Sequence, residues 1–162
     1  MSNLAFYTFG ILKENPDHPE VQGFLALGES IFAELRQAQG LVRYIDAVVG
    51  SSVAVPRFAS STKYPERLIQ TLTLWSNLES VFKFAYSGSH GKAFGHNWTI
   101  KSKWPVYVAW WVDDDKEPTL ADAAHRLEHL SEHGSTPYAF NFKNCFDAVG
   151  KPVQLDRQTI LS

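Results

Sequence analysis

A single cysteine among 162 residues, Cys145, excludes an internal disulfide framework and every zinc site that needs two or more thiolates. No histidine neighbours it in sequence, so a buried structural thiol is the default. Charge is balanced as well: fifteen Lys and Arg against seventeen Asp and Glu leave −2, with no block of one sign. Nucleic acid calls for a basic footprint, and an anionic membrane surface does the same, so neither is an expected partner. No apolar run reaches the roughly 18 residues of a membrane span. "MSNLAFYTFG" has no basic segment before its apolar run and no small-residue cleavage site, so no signal peptide is expected. Together these absences predict a cytoplasmic protein. "SGSHGKAFG" lacks the spacing of a phosphate-binding loop, since Tyr86 stands five before Gly91 and Ala93 follows Lys92. No G-x-S-x-G elbow is present either.

What the chain does have is aromatic mass: five Trp, six Tyr and eleven Phe. Such rings fill cores, and they also line pockets for apolar ligands. The length fits one domain, 1–162, with a core over about 4–146 and a polar tail over 147–162.

Hydrophobic periodicity divides the chain. "LAFYTFGIL" (4–12) reads as a strand, and Pro19 opens a helix to about Ala38. Its apolar stripe is Val21, Phe24, Leu25, Gly28, Ile31, Phe32 and Leu35. Strands follow at 41–49 and 68–75, separated by a loop over 50–67 long enough to be a lid or binding loop. Ser76 as N-cap with Glu79 three residues on predicts a second helix, its apolar face running Leu78, Val81, Phe82, Ala85 and Ser89. A fourth strand spans 104–112, and a third helix opens at Thr119 and stops at Gly134. "TPYAFNF" is a short extended segment.

This order predicts an α+β fold, a ferredoxin-like βαββαβ unit with a four-stranded antiparallel sheet and an extra C-terminal helix. "VYVAWWV" (106–112) does not alternate apolar with polar, so both faces of the sheet should be covered. The helices counted are too few for that, and a second copy packing sheet against sheet is expected, a homodimer closing an α/β barrel.

The stretches "LTLWSNLESVFKFAYSGSH" and "VYVAWWVDDDKEPTLADAAHRLEHLSEHGSTPYAFNF" resemble the domain of unknown function family 3291, within the dimeric α/β-barrel, antibiotic-biosynthesis-monooxygenase-like superfamily. The resemblance is carried by Leu74-Trp75 with Glu79, by "FAYSGSH" ending in His90, by Trp110-Trp111, and by Gly134-Ser135-Thr136-Pro137 leading into "AFNF". "GLVRYI" is similar to the family's second strand, whereas "GKAFGHNW" stands where the family usually has an Arg-rich helix. The resemblance implies a small apolar cavity between sheet and helices. Superfamily members include cofactor-free monooxygenases, haem-binding and haem-degrading proteins, and polyketide cyclases or isomerases.

Candidate residues can be weighed on that basis. His125-Arg126-Leu127-Glu128-His129 fits H-x-x-E-H, an inverted zinc-peptidase signature, with His133 four residues on. With Leu127 at zero on a helical wheel, His125 and His129 fall about 160° away and His133 about 120°. The three therefore point away from the core, and no metal site is expected. His90 lies about 80° from Phe82, at the edge of the buried face of the second helix. There it could serve as a general base or a haem ligand, or simply bond a backbone carbonyl. His96 is the runner-up.

Arg43, a charge inside an apolar strand, would anchor a ligand oxyanion or pair with Asp46 or Glu79. Tyr7, Tyr44, Trp75, Tyr86, Tyr107 and Trp111 are candidate pocket walls. The expectation is an enzyme acting without a cofactor on a small hydrophobic, aromatic or polyketide-like molecule. Monooxygenation, or cyclisation or isomerisation through an enolate, would be its chemistry. The alternative is a non-catalytic small-ligand or haem-binding protein.

Overall fold

The computed structural model describes the chain apart from residues 52, 53, 60, 61, 96, 97 and 102 and the side chains of 92–95. It begins β1 (Ser2–Ile11), α1 (Pro19–Arg36), β2 (Leu41–Val49), β3 (Leu68–Trp75) and α2 (Leu78–Tyr86). There follow α3 (Gly88–Gly95), β4 (Tyr107–Asp113), α4 (Leu120–His133), a small β5–β6 ladder (Cys145–Phe146 with Pro152–Val153), and α5 (Arg157–Leu161). The four long strands make one antiparallel sheet in the order β2-β3-β1-β4, and this sheet is not closed.

Register sorts side chains to the two faces, because successive residues of a strand point opposite ways. Ala5 lies opposite Leu74 and Trp110, and Tyr7 opposite Leu72 and Val108. These pack with Ala123, Leu127 and Leu130 of α4. On the other face Leu4, Phe6, Trp75 and Ala109 pack with Val81, Phe82 and Ala85 of α2 and with Leu35. Both faces are covered, as the non-alternating β4 implied, but from within one chain. α4 has 14 residues and is about 21 Å long, enough to cross a four-stranded sheet about 15 Å wide. The premise that a second copy must cover that face is thereby corrected.

Several element ends also differ from expectation, each for a local reason. The N-cap of α2 is Asn77, not Ser76; its Oδ1 accepts from the Ser80 N–H at 2.8 Å. The expected cap of α4 holds, with Thr119 and Asp122 bonding each other's backbone. β4 starts at Tyr107 rather than Trp104. Pro105 has no N–H for a ladder, and Trp104 stacks instead on Phe58 at 4.6 Å. The helix expected to run through Ser89 breaks: Ser87 is extended and Gly88 has φ +56°, which glycine tolerates best. The tail carries structure too. Val153, Leu155 and Ile160 pack against the cluster around α2, and the buried Cys145 donates to the Val153 carbonyl at 3.3 Å.

The described part of the 50–67 loop packs on the α4 face through Val55, Phe58 and Ala59, so it contributes to the core. Arg57 donates from its backbone N–H and its Nε to Glu128 Oε1 at 2.7 and 3.1 Å, and from Nη2 to Glu132 at 3.1 Å. Glu128 is buried. The central carboxylate of the H-x-x-E-H segment thus holds a loop against α4.

Candidate functional site

α1 decides where a ligand could sit. Of its seven-residue apolar stripe only Val21 and Leu35, near its two ends, are buried. Between them Phe24, Leu25, Gly28, Ile31 and Phe32 stand off the sheet and roof a cleft of about 370 Å³. The floor is the α2-side face of the sheet, including Phe6, Thr8, Gly10, Thr71 and Thr73. The segment around Trp98 and Thr99 fences one side: Lys13 N–H donates to the Trp98 carbonyl at 2.9 Å, Thr99 bridges to Leu12, and Trp98 meets Phe24 edge-on at 5.8 Å. Leaving so many apolar side chains facing a void rather than the sheet forgoes burial worth about 25 cal/mol per Å². Apolar surface left open in this way marks a binding site more often than not.

His90 joins the lining between Phe84 and Phe6, at ring distances of 5.2 and 6.5 Å. It sits in the first turn of α3, past the Gly88 break, rather than on a continuous second helix. Its Nδ1 lies 2.8 Å from the Ala85 carbonyl oxygen. A carbonyl can only accept, so Nδ1 carries the proton and Nε2 the lone pair. Burial lowers the imidazole's pKa below its ordinary value, against smaller opposing effects from that hydrogen bond and from Glu34. The ring is a neutral base at neutral pH.

Glu34, on the last turn of α1, sets where α3 begins. Its carboxylate accepts from the Ser89 N–H at 3.0 Å and from the Ser89 hydroxyl at 2.8 Å, placing negative charge at a helix N-terminus. A Cβ on Gly88 would come within 2.8 Å of that carboxylate, which could swing aside, so it is the φ of +56° that favours glycine at this turn. Replacing Glu34 by Gln removes the charge that holds the His90 pKa up. The expected result is a further fall in that pKa, read by NMR titration of the ring, together with faster amide exchange at Ser89 and His90. An unchanged or higher pKa would contradict this placement.

The other residues named from sequence scatter. Tyr44 lines the cleft at its β2 side, edge-on to Phe32 at 5.8 Å, its phenol pushed up first by burial and then by Asp46. Trp75 lies on the floor's own face, two residues along β3 from Thr73; its indole donates to Thr73 Oγ1 at 2.8 Å, and its ring meets Phe84 at 5.3 Å, so it supports two lining residues. Tyr107 packs on Phe6 at 5.9 Å and its hydroxyl accepts from the Phe142 N–H at 3.1 Å, while burial raises its pKa. Trp111 donates to the Phe146 carbonyl at 2.8 Å. Tyr86 rests on Phe82 at 4.7 Å. Tyr7 is on the opposite face under α4, bonded to Gln70 at 2.6 Å, with its pKa raised by burial. Arg43, on the edge strand and half exposed, pairs with Glu117 at 3.0 Å rather than with Asp46 or Glu79. His96 lies outside the described residues.

His125 and His133 are exposed, and His129 is partly buried between His133 and Tyr138. Among the described residues no group of three His, Cys, Asp or Glu is arranged to hold a metal ion, and no helix is long and apolar enough to cross a membrane.

A sheet roofed by a raised helix, with one imidazole inside, defines an α+β protein with a small-molecule-sized cleft. The chain belongs to the family described as domain of unknown function DUF3291, whose model matches residues 3–156. No curated protein matches it. Among solved structures it is similar to a conserved protein from Methanosarcina mazei, at 18% identity over 59% of this chain and 77% of that one, with a TM-score of 0.41. A protein from Shewanella oneidensis matches at 12% identity over 68% and 89%, with a TM-score of 0.44. A conserved protein of unknown function from Bacteroides thetaiotaomicron, described as a possible oxidoreductase, matches at 15% identity over 58% and 82%, with a TM-score of 0.39. Likenesses of this size carry no argument about activity.

Proposed function

We propose that the chain binds a small, flat, hydrophobic molecule, aromatic or polyketide-like, in the cleft under α1 and moves a proton on it with His90. The observation that carries this reading is the raised middle of α1, which leaves an aromatic-lined void with one neutral imidazole at its wall. His90 Nε2 would take a proton from a carbon next to a carbonyl, giving an enolate and an imidazolium. In an isomerisation or cyclisation that proton returns to the product; in a monooxygenation dioxygen is the oxidant, one of its oxygens staying on the substrate carbon as a new carbonyl and the other leaving as water with that carbon's two hydrogens. The Thr8 and Thr71 hydroxyls bond each other across the floor. Two hydroxyls sharing one hydrogen bond keep one proton to offer the enolate oxygen, the role first sought in Arg43.

Haem fits poorly here. His90 could ligate an iron, but haem's carboxylates would meet no Lys or Arg among the described lining residues.

The test uses Nile red, a neutral dye that brightens in apolar sites. Gly28 faces open space in the roof, with no atom within 4 Å of where a Cβ would stand. Gly28→Trp should fill the cleft and weaken dye binding at least tenfold while circular dichroism stays unchanged. Equal binding by both proteins would remove the cleft from consideration.

The strand order β2-β3-β1-β4 with helices after β1 and β3 supports a ferredoxin-like unit within a single domain. A homodimer is proposed with it, now seated at the β2 edge, where Val42, Tyr44 and Val49 are exposed beside Phe32. Light scattering should give twice the chain mass at micromolar concentration, and a monomer would count against the pairing.

A further inference from the structure

The cleft differs from roof to floor, and this bears on which ligands it accepts, granted that it is the binding site. The roof is carbon: Phe24, Leu25, Ile31 and Phe32. The floor carries a line of threonines from β1 and β3, of which Thr8 and Thr71 are direct register partners. Thr73 is committed, accepting from the Trp75 indole and donating to the Phe6 carbonyl at 3.4 Å. The Thr8–Thr71 pair retains one hydroxyl proton for a guest.

Charge is distributed just as unevenly. Among the described lining residues there is no Lys and no Arg, and the acidic one is Glu29, exposed at the rim. Glu34 adds a second carboxylate behind His90, already engaged by Ser89. An anionic guest would lose its water, find no cation, and face carboxylates at the rim and behind the wall. A cation would find one partner, at the rim, and would have to give up its hydration in the apolar interior. His90 supplies no positive charge, because burial keeps it neutral at neutral pH.

We propose that this cleft selects uncharged aromatic molecules bearing a hydroxyl or carbonyl oxygen, recognised by the Thr8–Thr71 hydroxyl pair, and rejects carboxylates and ammonium ions of the same shape. The reading predicts a substrate class, phenols and aryl ketones rather than aryl or fatty acids.

The experiment displaces Nile red from the full chain at pH 7 with four probes of one ring system: 2-naphthol, naphthalene, 2-naphthoate and 2-naphthylmethylammonium. Naphthol should bind at least tenfold more tightly than either ion and severalfold more tightly than naphthalene. In the double variant Thr8→Val/Thr71→Val, naphthol and naphthalene should become equal, each displacement being scaled to that variant's own dye affinity, because Nile red carries a ring carbonyl itself. Naphthoate or the ammonium binding as tightly as naphthol would overturn the proposal, as would failure of naphthol to displace the dye. The Gly28→Trp protein separates the two levels. Should the naphthol result be negative, dye binding by Gly28→Trp as by the native chain means that the cleft reading has failed, and weakened dye binding means that only the selectivity has.

Discussion

His90→Ala is expected to slow enolisation of a neutral aryl ketone by 10²–10⁴-fold, the usual contribution of a positioned general base. A suitable probe is 1-tetralone, whose protons beside the carbonyl exchange with deuterium through the enolate and can be followed by NMR. The pH profile adds a second, sharper readout. The base is the neutral imidazole, and burial lowers its pKa below the ordinary histidine value of 6.5. Exchange should therefore rise with pH through a midpoint below 6.5 and be flat at neutral pH. A midpoint above 6.5 would mean that the charged ring is stabilised, contrary to its setting among Phe6 and Phe84. Equal rates for native and variant proteins would remove His90 from the chemistry and leave the cleft as a carrier's pocket.

Most of the fold was legible because strands and helices in this chain differ in period. The four strands fall within three residues of their expected ends, and the α4 capping box is where Thr119 and Asp122 predict it. Local competition between equivalent donors was less legible. Ser76 and Asn77 are both good caps, and only the geometry at Ser80 chooses between them. The break at Ser87-Gly88 was marked in the sequence by its glycine, but helical periodicity ran on through Ser89 and masked it. The covering role of α4 was underestimated because Ala123, Leu127 and Leu130 define a stripe without saying what it lies on.

The site was harder to read for a physical reason. Periodicity identifies a face that avoids water, but a face lining a cleft and a face sealing a core have the same composition. Phe24, Leu25, Gly28, Ile31 and Phe32 read as core for that reason. The one signal that could have separated them is Gly28, which fills no space in a stripe of large side chains. His90 was found from its place at the edge of a helix face, whereas the threonines of the floor gave no signal, since Thr is common in any strand. Arg43 drew attention as a charge in an apolar strand; β2 is an edge strand, and its partner Glu117 is remote in sequence.

Trp110→Ala is expected to cost about 3–5 kcal/mol, a large part of the about 5–15 kcal/mol that holds a domain folded. Trp110 is 1% exposed, opposite Ala5 on β1 and within the cluster that α4 seals, with the Arg126 guanidinium 5.5 Å from its ring. The indole is far larger than any neighbour could replace by relaxing, so the cavity remains. How the loss depends on protein concentration decides what covers this face. If α4 does, the urea midpoints of native and variant proteins differ by the same amount at every concentration. A face buried mainly by a second copy would instead give a loss that grows as the protein is concentrated, because association by mass action stabilises the native folded state more than that of a variant with a weakened contact. Phe32→Ala provides the contrast: it is exposed at the cleft, so it should cost under about 1 kcal/mol while weakening Nile red. A large loss at Phe32 with a small one at Trp110 would reverse the assignment of which face is core and which is site.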